Sequence, residues 1–220
     1  MCIRDRYLKF LSDSYDKKNS VISRQGEKVT VKDVLVDYCQ KLDLCNLDML
    51  RDYEREYFGT ETRSLEIACQ EMIRLDSERF CRLDALKFPI EEVDTVIESC
   101  VGSSEAITVK ELASLAIFPV VDGASWNGFL LESYIRHKSA RFSLFWERVG
   151  KKSPEGIVVP KNKDFASYEE ILAHVLAAED FSFFEISAVR IRLEERGFNI
   201  KDVDLYAVIR RANDLRHLEL

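Results

Sequence analysis

Hydrophobic residues recur along most of this chain at the three- and four-residue spacing of helices that bury one side. The pattern is most informative between Ile107 and Phe145. There it predicts a short extended start, a capped helix, a turn at Pro119 and Gly123, a second amphipathic helix and an alternating strand. The second helix is expected to turn these residues to the core: Trp126, Phe129, Leu130, Ser133 and Tyr134.

Three stretches start their helices with the same device, an apolar residue, a hydroxyl residue and an acid three positions later. They are VTVKD at Val29–Asp33, ITVKE at Ile107–Glu111 and FSFFE at Phe181–Glu185. The hydroxyl can accept a hydrogen bond from the third backbone N–H of the helix, and the acid can reach back to the cap residue. A second amphipathic helix follows each stretch, so we interpret the chain as repeated units in tandem.

A helix, a turn, a second helix and an alternating strand in this order resemble the winged helix-turn-helix superfamily. The likeness is clearest over Ile90–Phe145, weaker over Ser167–Leu218 and weakest over Val21–Leu83. It implies a mainly α fold with short β wings, built from tandem winged-helix-like or helix-turn-helix modules. A generic helical domain remains the alternative, because capping boxes occur in many helical proteins.

The same reasoning predicts domain boundaries. Residues 1–19 are expected to be the helix end of a missing upstream region, and their first six residues resemble translated sequencing adapter. Residues 20–85 form a degenerate helix-turn-helix-like module, and residues 86–150 a winged-helix-like module. Residues 151–164, which hold Gly, Pro and a basic excess, are predicted to be a linker, inside which Ile157, Val158 and Val159 can add one short strand. Residues 165–220 are predicted to be a C-terminal helix-turn-helix-like module. We therefore expect the C-terminal part of a larger bacterial protein.

Charge is unevenly distributed along the chain. The net charge is −7, which argues against indiscriminate coating of nucleic acid by the whole molecule. Between Asp43 and Ser99 there are 15 acids against 7 Lys and Arg, whereas between Arg136 and Lys163 there are 2 acids against 8. A contact with a polyanion is therefore predicted in the second region.

The winged-helix resemblance implies that the second helix of the central motif enters the major groove and that the wing contacts phosphates. The implied nucleic-acid-binding residues are Asn127, Arg136, Lys138, Arg141, Arg148, Lys151 and Lys152. Arg210 and Arg211 on the last helix are a second candidate, and Tyr206 of that helix is expected to face inward. The acidic helix around Asp48 and Asp52 is predicted not to bind DNA, because its carboxylates would face phosphates.

The central helix also supports a different function, since its apolar residues lie almost all round. Leu131 and Ile135 are predicted to be exposed and to bind a protein partner, or the missing upstream domain of the same protein. The sequence leaves the two functions open: a non-catalytic protein that binds duplex DNA, or an adaptor that uses the same helices without DNA.

No pattern in the sequence indicates catalysis. The chain has no phosphate-binding loop, nucleophile elbow, zinc-protease or dinucleotide motif, so we expect neither an enzyme nor a cofactor. The six cysteines form no C-x-x-C pair and the three histidines are isolated, which argues against a metal site and indicates reduced, buried thiols. No apolar run of about 18 residues and no secretory signal is found, so a cytoplasmic protein without a membrane partner is predicted.

Overall fold

The structure is a computed structural model that describes residues 15–18, 21–24, 30–59, 63–114, 117–145, 149–150, 152–179 and 185–218. The chain forms two compact units. The first comprises Met1–Arg74 and Glu78–Ala85, and the second comprises Leu75–Ser77 and Leu86–Leu220. The secondary structure is mostly helical with short antiparallel strands, which confirms the predicted mainly helical composition. Among the described residues, no helix is both long and apolar enough to cross a membrane.

In its described residues, the first unit contains three helices, a three-stranded sheet and a two-stranded hairpin. In chain order its elements after the N-terminal hairpin are α1 (Val31–Gln40), β3 (Leu44–Asn46), α2 (Leu47–Phe58), α3 (Ser64–Glu71), β4 (Ile73–Arg74) and β5 (Arg79–Cys81). The strands are antiparallel in the order β3-β5-β4. Thr30 caps α1 through the predicted box with Asp33, and Gly59, at φ 72°, ends α2 in the left-handed conformation.

An antiparallel hairpin precedes these elements and corrects one prediction. Its strands are β1 (Tyr15–Lys18) and β2 (Val21–Arg24), with Lys18 opposite Val21. The predicted helix end over residues 1–19 is therefore wrong for residues 15–18, and the rest of it lies outside the described residues. A strand is formed because two extended segments, the second carrying β-branched Val21 and Ile22, pair in antiparallel register.

The second unit begins with the same kinds of element and ends with three further helices. Its elements are α4 (Ile90–Val101), a 3₁₀ turn (Gly102–Ser104), β6 (Ile107–Thr108), α5 (Val109–Ser114), α6 (Gly128–His137), β7 (Phe142–Phe145), β8 (Ile157–Pro160), α7 (Tyr168–Ala177), α8 (Ile186–Glu195) and α9 (Leu205–Leu218). Its strands are antiparallel in the order β6-β8-β7. Both units thus share one order: a helix, a strand, two helices and two strands, with the last strand in the middle of the sheet.

This shared order changes the register of the sequence repeat. Thr30 caps the first helix of its unit, whereas Thr108 accepts a hydrogen bond from the backbone N–H of Glu111 in the second helix of its unit. The residue equivalent to Thr108 is Asn46, which also ends a strand and accepts from Met49 N. Matching Val29–Asp33 to Ile107–Glu111 was therefore wrong, because a capping box marks a helix start without saying which helix starts. Residues 181–184 of the third stretch lie outside the described residues.

Strand β8 holds the second unit together because both of its faces are buried. Val158 packs with α4, α5 and α6, while Ile157 and Val159 on the opposite face pack with α7, α8 and α9. The predicted linker over residues 151–164 is thus wrong at residues 157–160, which form the central strand of the sheet. Three consecutive apolar residues suit a strand covered on both sides, and the C-terminal helices are for this reason part of the same unit.

The first unit buries a group of thiols whose chemistry can be tested. Cys39, Cys45, Cys69 and Cys81 are buried and are not joined in disulfide bonds. Burial raises the pKa of Cys39 to about 12 and the pKa of Cys45 and Cys81 to about 11. We therefore expect at most about one thiolate in a thousand at each of these three sites at pH 8, since the thiolate population falls tenfold per pH unit below the pKa.

Alkylation followed by peptide mass spectrometry checks this expectation. Native protein at pH 8 should be modified at Cys39, Cys45 and Cys81 far more slowly than urea-unfolded protein, while half-buried Cys100 serves as the internal reference. Equal rates in the native and unfolded protein would show that these thiols are accessible. The described residues contain no cluster of three or more His, Cys, Asp or Glu side chains that could hold a metal ion.

Candidate nucleic-acid interface

Asn127, a predicted base-reading residue, serves instead as the N-cap of α6. Its Oδ1 accepts hydrogen bonds from Phe129 N at 2.9 Å and Leu130 N at 3.1 Å, and its Nδ2 donates to Leu75 O at 2.7 Å. Both ends of the amide are therefore used within the protein. The helix starts at Gly128, so Trp126, which was expected to lie on it, lies just before it.

Leu131 and Ile135, predicted to be exposed for a partner, are core residues with 1% of their surface exposed. They pack with α4, β7 and β8. Residues 130–135 of α6 are all buried, so this helix has no free face along its centre. The prediction is wrong because α4 and the sheet cover the side of α6 that carries Leu131 and Ile135. An all-round apolar helix is buried on all sides.

The basic residues around the predicted wing do not form one open patch. Arg136 and Lys138 are half-buried at the end of α6. The guanidinium of Arg141 donates to Glu91 at 2.6 Å and to Glu98 at 2.7 Å, and these acids raise its pKa. Lys152 is exposed, whereas Arg148 and Lys151 lie outside the described residues. The charge of Arg141 is thus largely neutralised by two acids of α4.

A buried carboxylate that sequence reasoning missed organises the turn before β7. Asp94 of α4 is 1% exposed and accepts four hydrogen bonds. The donors are Tyr134 Oη and Ser139 Oγ, both at 2.8 Å, and the backbone N–H groups of Ala140 at 2.9 Å and Arg141 at 3.1 Å. Burial, and then the bond to Asp94, raises the pKa of Tyr134. This network fixes the position at which the chain leaves α6.

Helix α9 presents the side-chain combination that α6 does not. Residues 206, 210, 213 and 217 follow the spacing that aligns side chains along one side of a helix, and they are Tyr206, Arg210, Asn213 and His217. All four are exposed, Tyr206 by 72%. Arg211 is exposed on the adjoining strip. We call these five residues the α9 face. Its arginines form no ion pair with any carboxylate in the described part of the chain.

The α9 face is held rigidly by contacts on the other side of the helix. Leu205, Val208 and Ala212 are buried in the cluster shared with α7 and α8. Asp204 caps the helix by accepting from Tyr206 N at 3.0 Å, and Arg216 donates to the carbonyls of Leu176 and Ala177 at the end of α7. The prediction that Tyr206 faces inward is wrong because these buried positions place it on the outer side.

The connection from α8 to α9 is fixed to the rest of the second unit. Arg196, at the end of α8, has a side chain that is 10% exposed. Its guanidinium donates to Glu111 of α5 at 3.0 Å and to Glu179 at 2.9 Å, and its carbonyl accepts from the Thr108 hydroxyl. Gly197, at φ 86°, then turns the chain. Helices α8 and α9 thus form a helix, a turn and a second helix, and the contacts of Arg196 attach the turn to the rest of the second unit.

The third helix of the first unit offers no comparable surface. α3 buries Ser64, Leu65, Ile67, Ala68 and Cys69 and carries no Lys or Arg within its bounds. The neighbouring α2 exposes Asp48 and Asp52, which pair with Arg51 and Arg55. The buried Glu54 accepts hydrogen bonds from the backbone N–H of Arg63 and the hydroxyl of Ser64 at the start of α3. The surfaces of α2 and α3 therefore remain unsuited to phosphate.

Comparison with known proteins adds no assignment. No protein-family model matches the chain, and neither a curated protein nor a solved structure gives a significant match. The functional argument therefore depends on the side chains described above.

Proposed function

We propose that this chain is a non-catalytic, duplex-DNA-binding protein built from tandem winged-helix-like units. Two observations support the units: each has a helix, a strand, two helices and two strands in that order, and each places its last strand centrally in the sheet. A helix-turn-helix followed by a two-stranded wing has this arrangement. The helices α7, α8 and α9 add a third set, and its last helix carries the α9 face.

The α9 face carries the proposal. Arginine and asparagine are the side chains that bond guanine and adenine edges, while arginine, histidine and tyrosine also contact phosphates. Tyr206, Arg210, Asn213 and His217 form one exposed strip, and exposed Asp214 lies beside it, four residues after Arg210 and three after Arg211. In a helix-turn-helix the second helix of the pair enters the major groove, and α9 holds that position after α8.

The alternative adaptor function loses the surface assigned to it. Leu131 and Ile135 lie in the core and cannot reach a partner without unfolding of α6. The central residues of the first DNA hypothesis are also largely occupied, Asn127 as a cap and Arg141 by two acids. Arg210 and Arg211, the second candidate in the sequence, now provide the main contact.

Binding of a mixed-sequence DNA duplex, measured by fluorescence anisotropy over a series of salt concentrations, tests the proposal. The double substitution Arg210→Ala and Arg211→Ala should weaken binding at low salt by about tenfold or more and lower the salt slope by about two. The physical reason is that each lost phosphate contact releases one counterion fewer. Circular dichroism should show unchanged folding, because both side chains are exposed.

A control of equal charge is available in Lys32→Ala with Lys87→Ala, two exposed cations in other elements. This variant should keep nearly all of the affinity. If the arginine variant retains both affinity and salt slope, or if the control loses as much, the α9 face is not the contact surface.

A further inference from the structure

A groove of about 470 Å³ opens in the second unit. It is lined by residues of the 3₁₀ turn and of the end of the β7–β8 hairpin. Its polar lining comes from Glu98, Glu105, Arg141, Lys161, Asn162 and Lys163. The volume falls within the range of small-molecule sites, about 300 to 1,000 Å³. None of these residues belongs to the α9 face.

Two cationic residues are neighbours at the end of the hairpin. In the register of the sheet Phe142 is opposite Pro160, so the next residues outward, Arg141 and Lys161, are neighbours, and Lys161 N donates to Arg141 O at 2.8 Å. Like charges opposite each other on adjacent strands are unfavourable unless something neutralises them. Arg141 is neutralised by Glu91 and Glu98.

Lys161 has no such carboxylate in the described part of the chain. Its ammonium group donates one hydrogen bond, to Ser139 O at 2.7 Å, and two of its three N–H donors are left to point elsewhere. The amide of Asn162 is exposed beside it. Of the three cations that line the groove, Arg141 and Lys163 are paired with carboxylates, which leaves Lys161 to attract an anion.

The wall opposite the hairpin is held in an uncommon backbone conformation. Gly102 has φ 49°, and Glu105 has φ 55°, a value that non-glycine residues rarely adopt. The carboxylate of Glu105 forms an ion pair with Lys163 Nζ at 2.6 Å and lies 3.0 Å from His174 Nδ1. These two contacts hold Glu105 in place and set Lys163 at the rim of the groove. Strained backbone of this kind concentrates at ligand sites.

From this geometry we propose that the groove binds a small organic phosphate monoester, a class that includes mononucleotides. The phosphate accepts hydrogen bonds from Lys161 and Asn162, and Lys163, one of whose N–H donors is already held by Glu105, lies at the rim. Its three terminal oxygens can accept from donors on several sides, which a carboxylate cannot do equally well. The organic part lies against Ala140 and Pro160, which line the groove.

Isothermal titration of the full chain with adenosine monophosphate, adenosine and inorganic phosphate tests the site. The monophosphate should bind more tightly than inorganic phosphate, and adenosine should not bind measurably. Lys161→Ala should weaken binding of the monophosphate by about tenfold, because a charge-assisted hydrogen bond is lost. Lys161→Arg should restore most of it. Ala140→Trp should abolish binding by filling the groove without removing a charge.

Two controls separate this site from general electrostatics and from the α9 face. Lys87→Ala, which removes an exposed cation outside the groove, and the double variant at Arg210 and Arg211 should both bind the monophosphate as the unaltered chain does. The inference is overturned if adenosine binds as well as its monophosphate, or if Lys161→Ala and Ala140→Trp, both folded by circular dichroism, leave the affinity unchanged. Absence of any phosphate-dependent heat overturns it as well.

Discussion

Replacing Asp94 by alanine is expected to lower the free energy of unfolding by about 3 to 5 kcal/mol, the cost typical of removing one partner from a buried charged network. The carboxylate accepts from Tyr134 Oη, Ser139 Oγ and the backbone N–H groups of Ala140 and Arg141. Without it, the hydroxyl of Ser139 and the backbone N–H groups of Ala140 and Arg141 lose this acceptor, and Tyr134 Oη keeps its bond to Ile90 O at 3.1 Å. Urea denaturation followed by circular dichroism measures the change.

Two further variants give this result a scale. Glu92→Ala removes an exposed carboxylate from the same helix and should change stability by no more than about 0.5 kcal/mol. Asp94→Asn keeps the shape but places an NH₂ group against N–H or O–H donors, so it should fall between the two. A loss of less than about 1 kcal/mol for Asp94→Ala would show that water or backbone rearrangement replaces the acceptor.

The helix starts were the most predictable part of the fold. Thr30, Asn46 and Ser167 each accept the predicted hydrogen bond from a backbone N–H in the first turn. Such bonds are local, since the donor and the acceptor lie within three residues, and local chemistry can be seen in one sequence. The strand at β7 and the packing of Trp126, whose ring lies against Phe118, were predictable for a similar reason.

The covering of one element by another was not predictable from local pattern. Residues 151–164 have the composition of a linker, yet Ile157, Val158 and Val159 form a strand buried on both faces. Only the positions of α4 to α6 on one side and α7 to α9 on the other explain this burial. The three consecutive apolar residues indicated that a short strand was possible, but they did not indicate that it would be the central strand of the sheet.

The candidate site was predictable only in part. Arg210 and Arg211 were found as charges, but Tyr206 was assigned to the core, because its exposure depends on where α9 starts. Asp94 was missed because an acid between Val93 and Ile97 reads as a surface position. An acid on the apolar side of a helix is the signal that could have revealed it.

Leu131 gives the clearest contrast between the sequence prediction and the structure. Truncating Leu131 to alanine should lower the free energy of unfolding by about 3 kcal/mol, within the range for buried leucines, because the side chain leaves a cavity between α6, α4 and the sheet. A surface residue for partner capture would cost almost nothing. Thermal and urea denaturation of the variant distinguish the two.

The matched control for this truncation is Ile191→Ala on α8, where the isoleucine is 57% exposed. It removes a comparable apolar side chain from the surface and should change stability by no more than about 0.5 kcal/mol. Equal, small effects of both substitutions would return Leu131 to the surface and reopen α6 as a binding helix. A large effect at Leu131 alone supports the burial of α6. Because α3 and α6 are both buried in the cores of their units, α9 then remains the candidate recognition helix.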